Sequence, residues 1–133
     1  MRISKKSQYG LRAMVYLARV SRARKEKLVC ALKEISEKED IPFDFLEKII
    51  SQLEKAGLVK AKKGVSGGYF LTKSPAKITV GEILNTLEKT ITLVECLGCG
   101  RIKKCAAKNV WRKIQKVLNK TLNSITLADL VNK

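Results

Sequence analysis

Histidine is absent from this 133-residue chain, acidic residues number 12 against 28 lysines and arginines, and aromatic residues make up 5% of it. Without histidine, the side chain most often used for acid-base chemistry and metal ligation near neutral pH is missing. No nucleophile-base pair and no phosphate-cradling loop ahead of a helix takes its place, so an enzyme is not expected. The few aromatics argue against a surface built to stack ligands. No apolar run reaches about 18 residues, so no segment would span a bilayer. Near the start, Arg12 and Arg19 interrupt what would be the apolar region of a signal peptide, which leads to the expectation of a cytoplasmic protein.

What is present is positive charge. The formal net charge is +16 on 14.9 kDa, which points to a polyanionic partner, nucleic acid first and an anionic membrane surface second. A lysine-rich solvated surface is the bland alternative. At 45% hydrophobic residues the chain has material for one core, and its length suits one ordinary domain. In a reducing cytosol its cysteines are more readily metal ligands or redox thiols than structural disulfides.

Leu11, Met14, Val15 and Ala18 recur at helical spacing, which predicts a helix from Ser4 to about Arg22. The charged connector "SRARKEK" precedes a short second helix, Leu32 to Glu39. A third helix follows, with Pro42 near its first turn, Leu46, Ile49, Ile50 and Leu53 on its apolar face, and Gly57 as its stop. Two short apolar runs, Leu58 to Lys62 and Tyr69 to Thr72, flank a glycine-rich basic tip and read as a β-hairpin. Thr79 and Glu82 form a capping box that opens a fourth helix, with Val80, Ile83, Leu84 and Leu87 on its apolar face. Beyond a glycine-containing loop, Trp111, Ile114, Leu118, Leu122 and Ile125 mark a long helix with a seam suited to another helix. Thr126 with Asp129, stapled by Ile125 and Leu130, opens a short last helix.

Three helices followed by a basic hairpin is the order of a winged helix-turn-helix, in which the third helix enters the major groove and the wing lies along the backbone. The fold expected is mainly α with a small β-hairpin wing, in two parts: a DNA-binding domain over 1–78, then helix, cysteine loop and dimerisation helix over 79–133. On the third helix Asp44, Glu47, Lys48 and Ser51 remain to face outward. Lysine suits phosphate or guanine, and a carboxylate can accept from the cytosine amino group. Glu47 reads equally as a helix charge left in water or paired with Ser51. Around the wing stand Lys60, Lys62, Lys63, Lys73 and Lys77, with Ser66 at its tip. Gly64, Gly67 and Gly68 let its backbone bend tightly and approach phosphates. Arg2, Lys5 and Lys6 are candidate phosphate clamps at the start of the first helix.

Cys96, Cys99 and Cys105 follow the spacing C-x2-C-x5-C, and the neighbouring Arg101, Lys103 and Lys104 favour thiolates. Structural zinc takes four protein ligands, so zinc would need an outside donor. An iron-sulfur cluster accepts one non-cysteine ligand, and unliganded redox thiols remain the third alternative. Cys30 reads as a small buried residue, and Trp111 as core.

Five segments together resemble the Rrf2 family of bacterial winged-helix regulators, and within it the IscR-type iron-sulfur regulators. They are "MRISKKSQYGLRAMVYLA", "LEKIISQLEKAGLVKAKKGVSGGYFL", "ITVGEIL", the three cysteines followed by "NVW", and "SITLADLV". The resemblance implies a homodimer joined through the long helix after the cysteines, bound to a partly palindromic double-stranded DNA operator. It also implies that Cys96, Cys99 and Cys105 hold an iron-sulfur cluster, [2Fe-2S] rather than [4Fe-4S], whose state sets DNA affinity. Glu47 matches a base-reading glutamate of IscR-like members, whereas Lys63 replaces a wing arginine and so lacks the bidentate fork. The loop between the first two cysteines is shorter than the family's. Lys108 stands where IscR-like proteins place a ligating histidine, and Gln8 where others place an acid. Gln8 or Glu39 of a partner chain, Cys30, and an exogenous thiol or water are the candidates for a fourth ligand. The function expected is therefore a DNA-binding regulator that senses cluster or redox status. The alternative is a cluster-free winged-helix regulator governed by a protein partner, a small molecule or thiol oxidation.

Overall fold

The computed structural model describes residues 2–23, 29–88 and 106–131. Its first helix, α1 (Lys5–Ala23), is packed on two sides. Ala13, Met14, Leu17 and Ala18 are buried in the main core. Leu11 faces a second cluster made by Val80, Leu84, Leu118, Leu122, Ile125 and Leu130. The expected single face, through Leu11 and Val15, is thus one flank of a helix sandwiched between two layers. A periodicity that assumes one dry side does not distinguish these arrangements.

The helix-turn-helix is built from α2 (Leu32–Glu39) and α3 (Phe43–Lys55). Between them Asp40 adopts a left-handed conformation at φ 53°, tolerated by aspartate, and Ile41 N–H returns to Ser36 O at 3.0 Å. Pro42 stands at the N-cap of α3, just outside the helix, where its missing N–H removes no helical bond. Leu46, Ile49, Ile50 and Leu53 are all buried, and each contributes about 1.5–3 kcal/mol on leaving water. Burial of that face, rather than helix propensity, orients α3. Gly57 ends the segment at φ 80°.

Strands β1 (Val59–Lys62) and β2 (Gly68–Leu71) pair antiparallel, with Val59 opposite Leu71 and Lys62 opposite Gly68. The hairpin is not alone. Cys30 N–H donates to Tyr69 O at 2.9 Å, and Tyr69 N–H donates to Cys30 O at 2.8 Å, so the residue ahead of α2 makes a one-residue third strand. Cys30 is fully buried, as its small apolar character predicts. A side chain on Gly68 would overlap the Cys30 carbonyl and Ala31 N, so only glycine admits this contact.

A short 3-10 turn, 75–77, leads into α4 (Val80–Leu87). Glu82 N–H donates to Thr79 Oγ1 at 3.1 Å, but the Glu82 carboxylate pairs with Lys73 at 3.1 Å; the expected reciprocal box is half formed. The second box is complete: Asp129 N–H bonds Thr126 Oγ1 at 3.2 Å and Thr126 N–H bonds Asp129 Oδ2 at 3.0 Å. It opens α6 (Leu127–Val131), which follows the long α5 (Lys108–Ser124). Val80 N–H to Ile125 O at 2.8 Å and Leu127 N–H to Ile78 O at 2.9 Å tie the α4 and α6 starts together. Beyond α4, Glu88 Oε1 accepts from Ser4 N–H and from Ser7 Oγ, each at 2.8 Å. These bonds from Ser4 and Ser7, with the nearby Lys6 charge, hold its carboxyl below the ordinary 4.5.

Replacing Gly68 by alanine should cost at least about 1–3 kcal/mol, since backbone rather than a mobile side chain opposes the new methyl. Urea unfolding checks it; an unchanged midpoint would mean the wing does not close on Cys30.

Candidate nucleic-acid interface

On α3, Asp44, Lys48, Ser51 and Lys55 follow one another at spacings of four, three and four, opposite the buried face, and all are exposed. A shallow groove runs along this ridge and is lined by Lys6 of α1 together with Phe45, Glu47, Lys48, Ser51, Gln52 and Lys55. Of the four outward residues expected from the sequence, Glu47, Lys48 and Ser51 line this groove and Asp44 stands exposed beyond it, and Lys6 joins from a different helix. Lys55 and Gln52 belong to the same surface and were missed. Periodicity from Lys48 and Ser51 would have found Lys55, but its nearness to the Gly57 stop hid it.

The first turn of α1 is docked on α3 by aromatic contacts. Lys5 Nζ lies 5.8 Å from the Tyr9 ring centroid, Arg12 lies 5.6 Å from it, and the Tyr9 ring meets Phe45 edge-on at 5.6 Å. Arg12 also donates to the Glu39 carbonyl. Arg2 is exposed just ahead of the helix.

In the hairpin, register puts Lys60 opposite Phe70 and Lys62 opposite Gly68, so both lysines stand on the face away from Ala61 and Tyr69. Lys63, Gly64, Val65 and Ser66 form an exposed tip. Gly64 has φ 127°, and Gly67 N–H closes the turn on Gly64 O at 3.0 Å. Gly67 has no room for a side chain against the Lys62 and Gly64 carbonyls. Thr72 Oγ1 fastens the base of the wing to Gly57 O at 2.5 Å. Burial, then the carboxylates of Glu54 and Glu47 of α3, push the Tyr69 phenol above the ordinary 10.0. Lys73, which follows the wing, pairs with Glu82 of α4 at the surface.

Chemically, this surface offers lysines to phosphate oxygens, a serine and a glutamine able to donate or accept, and carboxylates able to accept from exocyclic amines. Exposed Phe43 at the helix start and fully exposed Val65 at the wing tip add apolar points that sequence reasoning did not select.

Cys96, Cys99 and Cys105 lie outside the described residues, and among the described residues no group of three or more histidine, cysteine or acidic side chains could hold a metal ion. Of the candidates for a fourth ligand, Gln8 is exposed and donates its amide to Ile3 O at 2.9 Å. Cys30 is enclosed in the wing sheet. No described helix is long and apolar enough to cross a membrane.

A family model, Rrf2, described as an iron-dependent transcriptional regulator, matches residues 3–133. The HTH-type transcriptional regulator IscR of Klebsiella pneumoniae (strain 342) is 36% identical over 135 residues, covering 99% of this chain and 80% of its own length. Among solved structures, the IscR of T. potens superposes with a TM-score of 0.80 at 35% identity, over 99% of this chain and 87% of that one. CymR, the global cysteine regulator of B. subtilis, gives a TM-score of 0.84 at 35% identity, over 99% of this chain and 97% of that one. The oxidized form of Staphylococcus aureus CymR gives 0.75 at 29% identity, over 100% and 98%.

Proposed function

The chain belongs to the Rrf2 family of transcriptional regulators, and from that premise we propose that it binds a double-stranded DNA operator as a homodimer and senses iron-sulfur status through Cys96, Cys99 and Cys105. Its relatives are transcriptional regulators rather than enzymes. The observation that carries the DNA reading is the groove in which Lys6 of α1 meets Glu47, Lys48, Ser51 and Lys55 of α3 beside a basic wing. In this reading α3 enters the major groove with Asp44, Glu47 and Ser51 toward base edges, while Lys48 and Lys55 meet the flanking phosphates. Arg2, Lys5 and Lys6 hold one backbone, and Lys62, Lys63, Gly64, Ser66 and Gly67 hold another. The protein works in the cytoplasm.

The division of labour follows the chain. Residues 1–78 read DNA, and residues 79–133 join the two copies and sense. The pairing surface is the outer stripe of α5, where Val110 is 52% exposed, Ile114 43% and Val117 59%, at spacings of four and three. Among the described residues nothing covers it, and a second copy of the same stripe would make a self-complementary seam.

The donor set fits an iron-sulfur cluster: three thiols within ten residues, flanked by cations that favour thiolates. When bound, the cluster supplies a redox-labile crosslink among those three residues. The chain's own contribution is placement, since the segment 89–105 runs from Glu88, at the foot of α1, to the start of α5. A change of state in that segment thus meets the DNA clamp at one end and the dimer seam at the other. Operator affinity must then differ between the two states. A second reading is favoured by the likeness to CymR, a cysteine regulator also known in an oxidized form. In that reading the same three thiols respond directly, without iron.

Three outcomes test these statements. Lys48→Ala with Lys55→Ala should weaken duplex binding and lower the slope of log affinity against log salt by about two units, about 0.9 for each phosphate no longer neutralised; an unchanged slope would remove α3 from the interface. Ile114→Glu should convert a dimer to a monomer in sedimentation, and a monomeric parent protein would sink the seam. Protein purified without oxygen should show visible absorption with near-equal iron and sulfide, whereas a colourless protein that resists reconstitution but loses its DNA response on replacing the three cysteines would select direct thiol sensing.

A further inference from the structure

One carboxylate sits where electrostatics alone argues against it. Glu88 lies at the foot of α1, bonded to Ser4 and Ser7 and close enough for the Lys6 charge to act on its carboxyl, at the helix start that also carries Arg2 and Lys5. A negative charge there lowers the local positive potential and repels phosphate. Its contacts supply a reason for its presence. Glu88 Oε1 takes both the Ser4 N–H and the Ser7 hydroxyl, each at 2.8 Å, while Ser4 Oγ accepts from Ser7 N–H at 3.2 Å. Ser7 is the one fully buried polar side chain among the described residues. Hydrogen bonds to a charged acceptor at a helix N-terminus are the stronger kind, because the acceptor also meets the positive end of the helix dipole.

We infer that Glu88 is a positioning residue for DNA binding: by closing on Ser4 and Ser7 it fixes the first turn of α1 so that Arg2, Lys5 and Lys6 grip a phosphate backbone beside α3. Two independent anchors then hold that turn. Tyr9 against Phe45 ties it to α3, and Glu88 ties it to α4. With the second anchor gone, the residues ahead of Tyr9 keep their charges but lose their direction, and the entropy of ordering them falls on the DNA complex. The inference rests on the DNA reading above.

The test uses the full-length protein and a mixed-sequence DNA duplex, with affinity measured across a series of salt concentrations and folding followed by circular dichroism. Removing a negative charge near phosphates ordinarily tightens binding. Here Glu88→Ala should weaken it and lower the salt slope by about one to two units, at about 0.9 for each phosphate the clamp no longer neutralises. The triple variant Arg2→Ala, Lys5→Ala, Lys6→Ala should show at least that loss, and adding Glu88→Ala to it should lower the slope no further. Glu88→Gln, which keeps an acceptor oxygen at the same reach, should retain most of the wild-type slope. Ser7→Ala, which leaves the carboxylate in place and removes one donor, should show a partial loss, and it carries the test if Glu88→Ala does not fold. An unchanged slope in folded Glu88→Ala or Ser7→Ala, or a further drop on combining Glu88→Ala with the triple variant, overturns the positioning role alone. An unchanged slope in the triple variant overturns the clamp itself and with it this inference.

Discussion

A methyl group placed on Gly10 would overlap Leu87 Cδ1 and lie 3.3 Å from Ile49 Cγ2, so α1, α3 and α4 converge on one bare α-carbon. The rest of the arrangement depends on that closeness. Ile49 belongs to the face of α3 opposite its outward ridge, so the depth at which α3 sits against α1 sets how Lys6 and Lys48 share a groove. Leu87 is the last residue of α4, and the next residue, Glu88, makes the polar contact to the start of α1. Apolar packing and a charged latch thus occupy consecutive positions at one junction. Close-packed interiors pass such displacements on rather than absorbing them, because a shift of even a methylene is felt by the neighbours.

The elements that sequence made legible are those whose signal is local. The faces of α3 and α4 follow from apolar spacing over a few turns, and the wing from two short runs around glycines. What escaped depends on residues far apart in the chain. The Cys30 to Tyr69 pairing joins positions 39 apart by two backbone bonds, which leave no side-chain pattern. Its only trace is Gly68, which sequence reasoning assigned to phosphate approach, although its bare α-carbon is needed for the Cys30 carbonyl. The Glu88 to Ser4 bond spans 84 positions. No rule of spacing reaches that far, and a lone glutamate after an apolar helix reads as solvated charge.

The candidate interface was legible to a similar degree. Asp44, Glu47, Lys48 and Ser51 follow once the core face of α3 is known, since a helix has only one other side. Lys6 could be named as a cation but not assigned to the groove of α3, because the crossing of two helices is a property of their packing. Glu82 shows the same limit, since as a capping residue it was expected to turn back on its own helix, yet its carboxylate reaches outward to Lys73. A side chain given two charged or polar partners chooses by geometry that composition does not contain.

The three cysteines raise a question of transmission that does not depend on what they hold. The segment carrying them is bounded by Glu88, fastened to the first turn of α1, and by α5, whose inner face packs with Leu118 and Leu122 on Val80 and Leu84. Both boundaries meet on α4, through Leu87 at one end and Val80 at the other. In the proposed homodimer, a ligand or a disulfide on these cysteines has two routes to DNA binding, through Glu88 or through α5. The first route changes how each copy holds its phosphates, and the second changes the distance between two copies. These effects separate physically: the first alters the number of ion contacts, hence the salt slope, while the second alters preferred half-site spacing and leaves the slope of one bound copy intact. The two proposed readings, cluster and direct thiol sensing, share both ends of the segment, and the junction on α4 is where those ends converge.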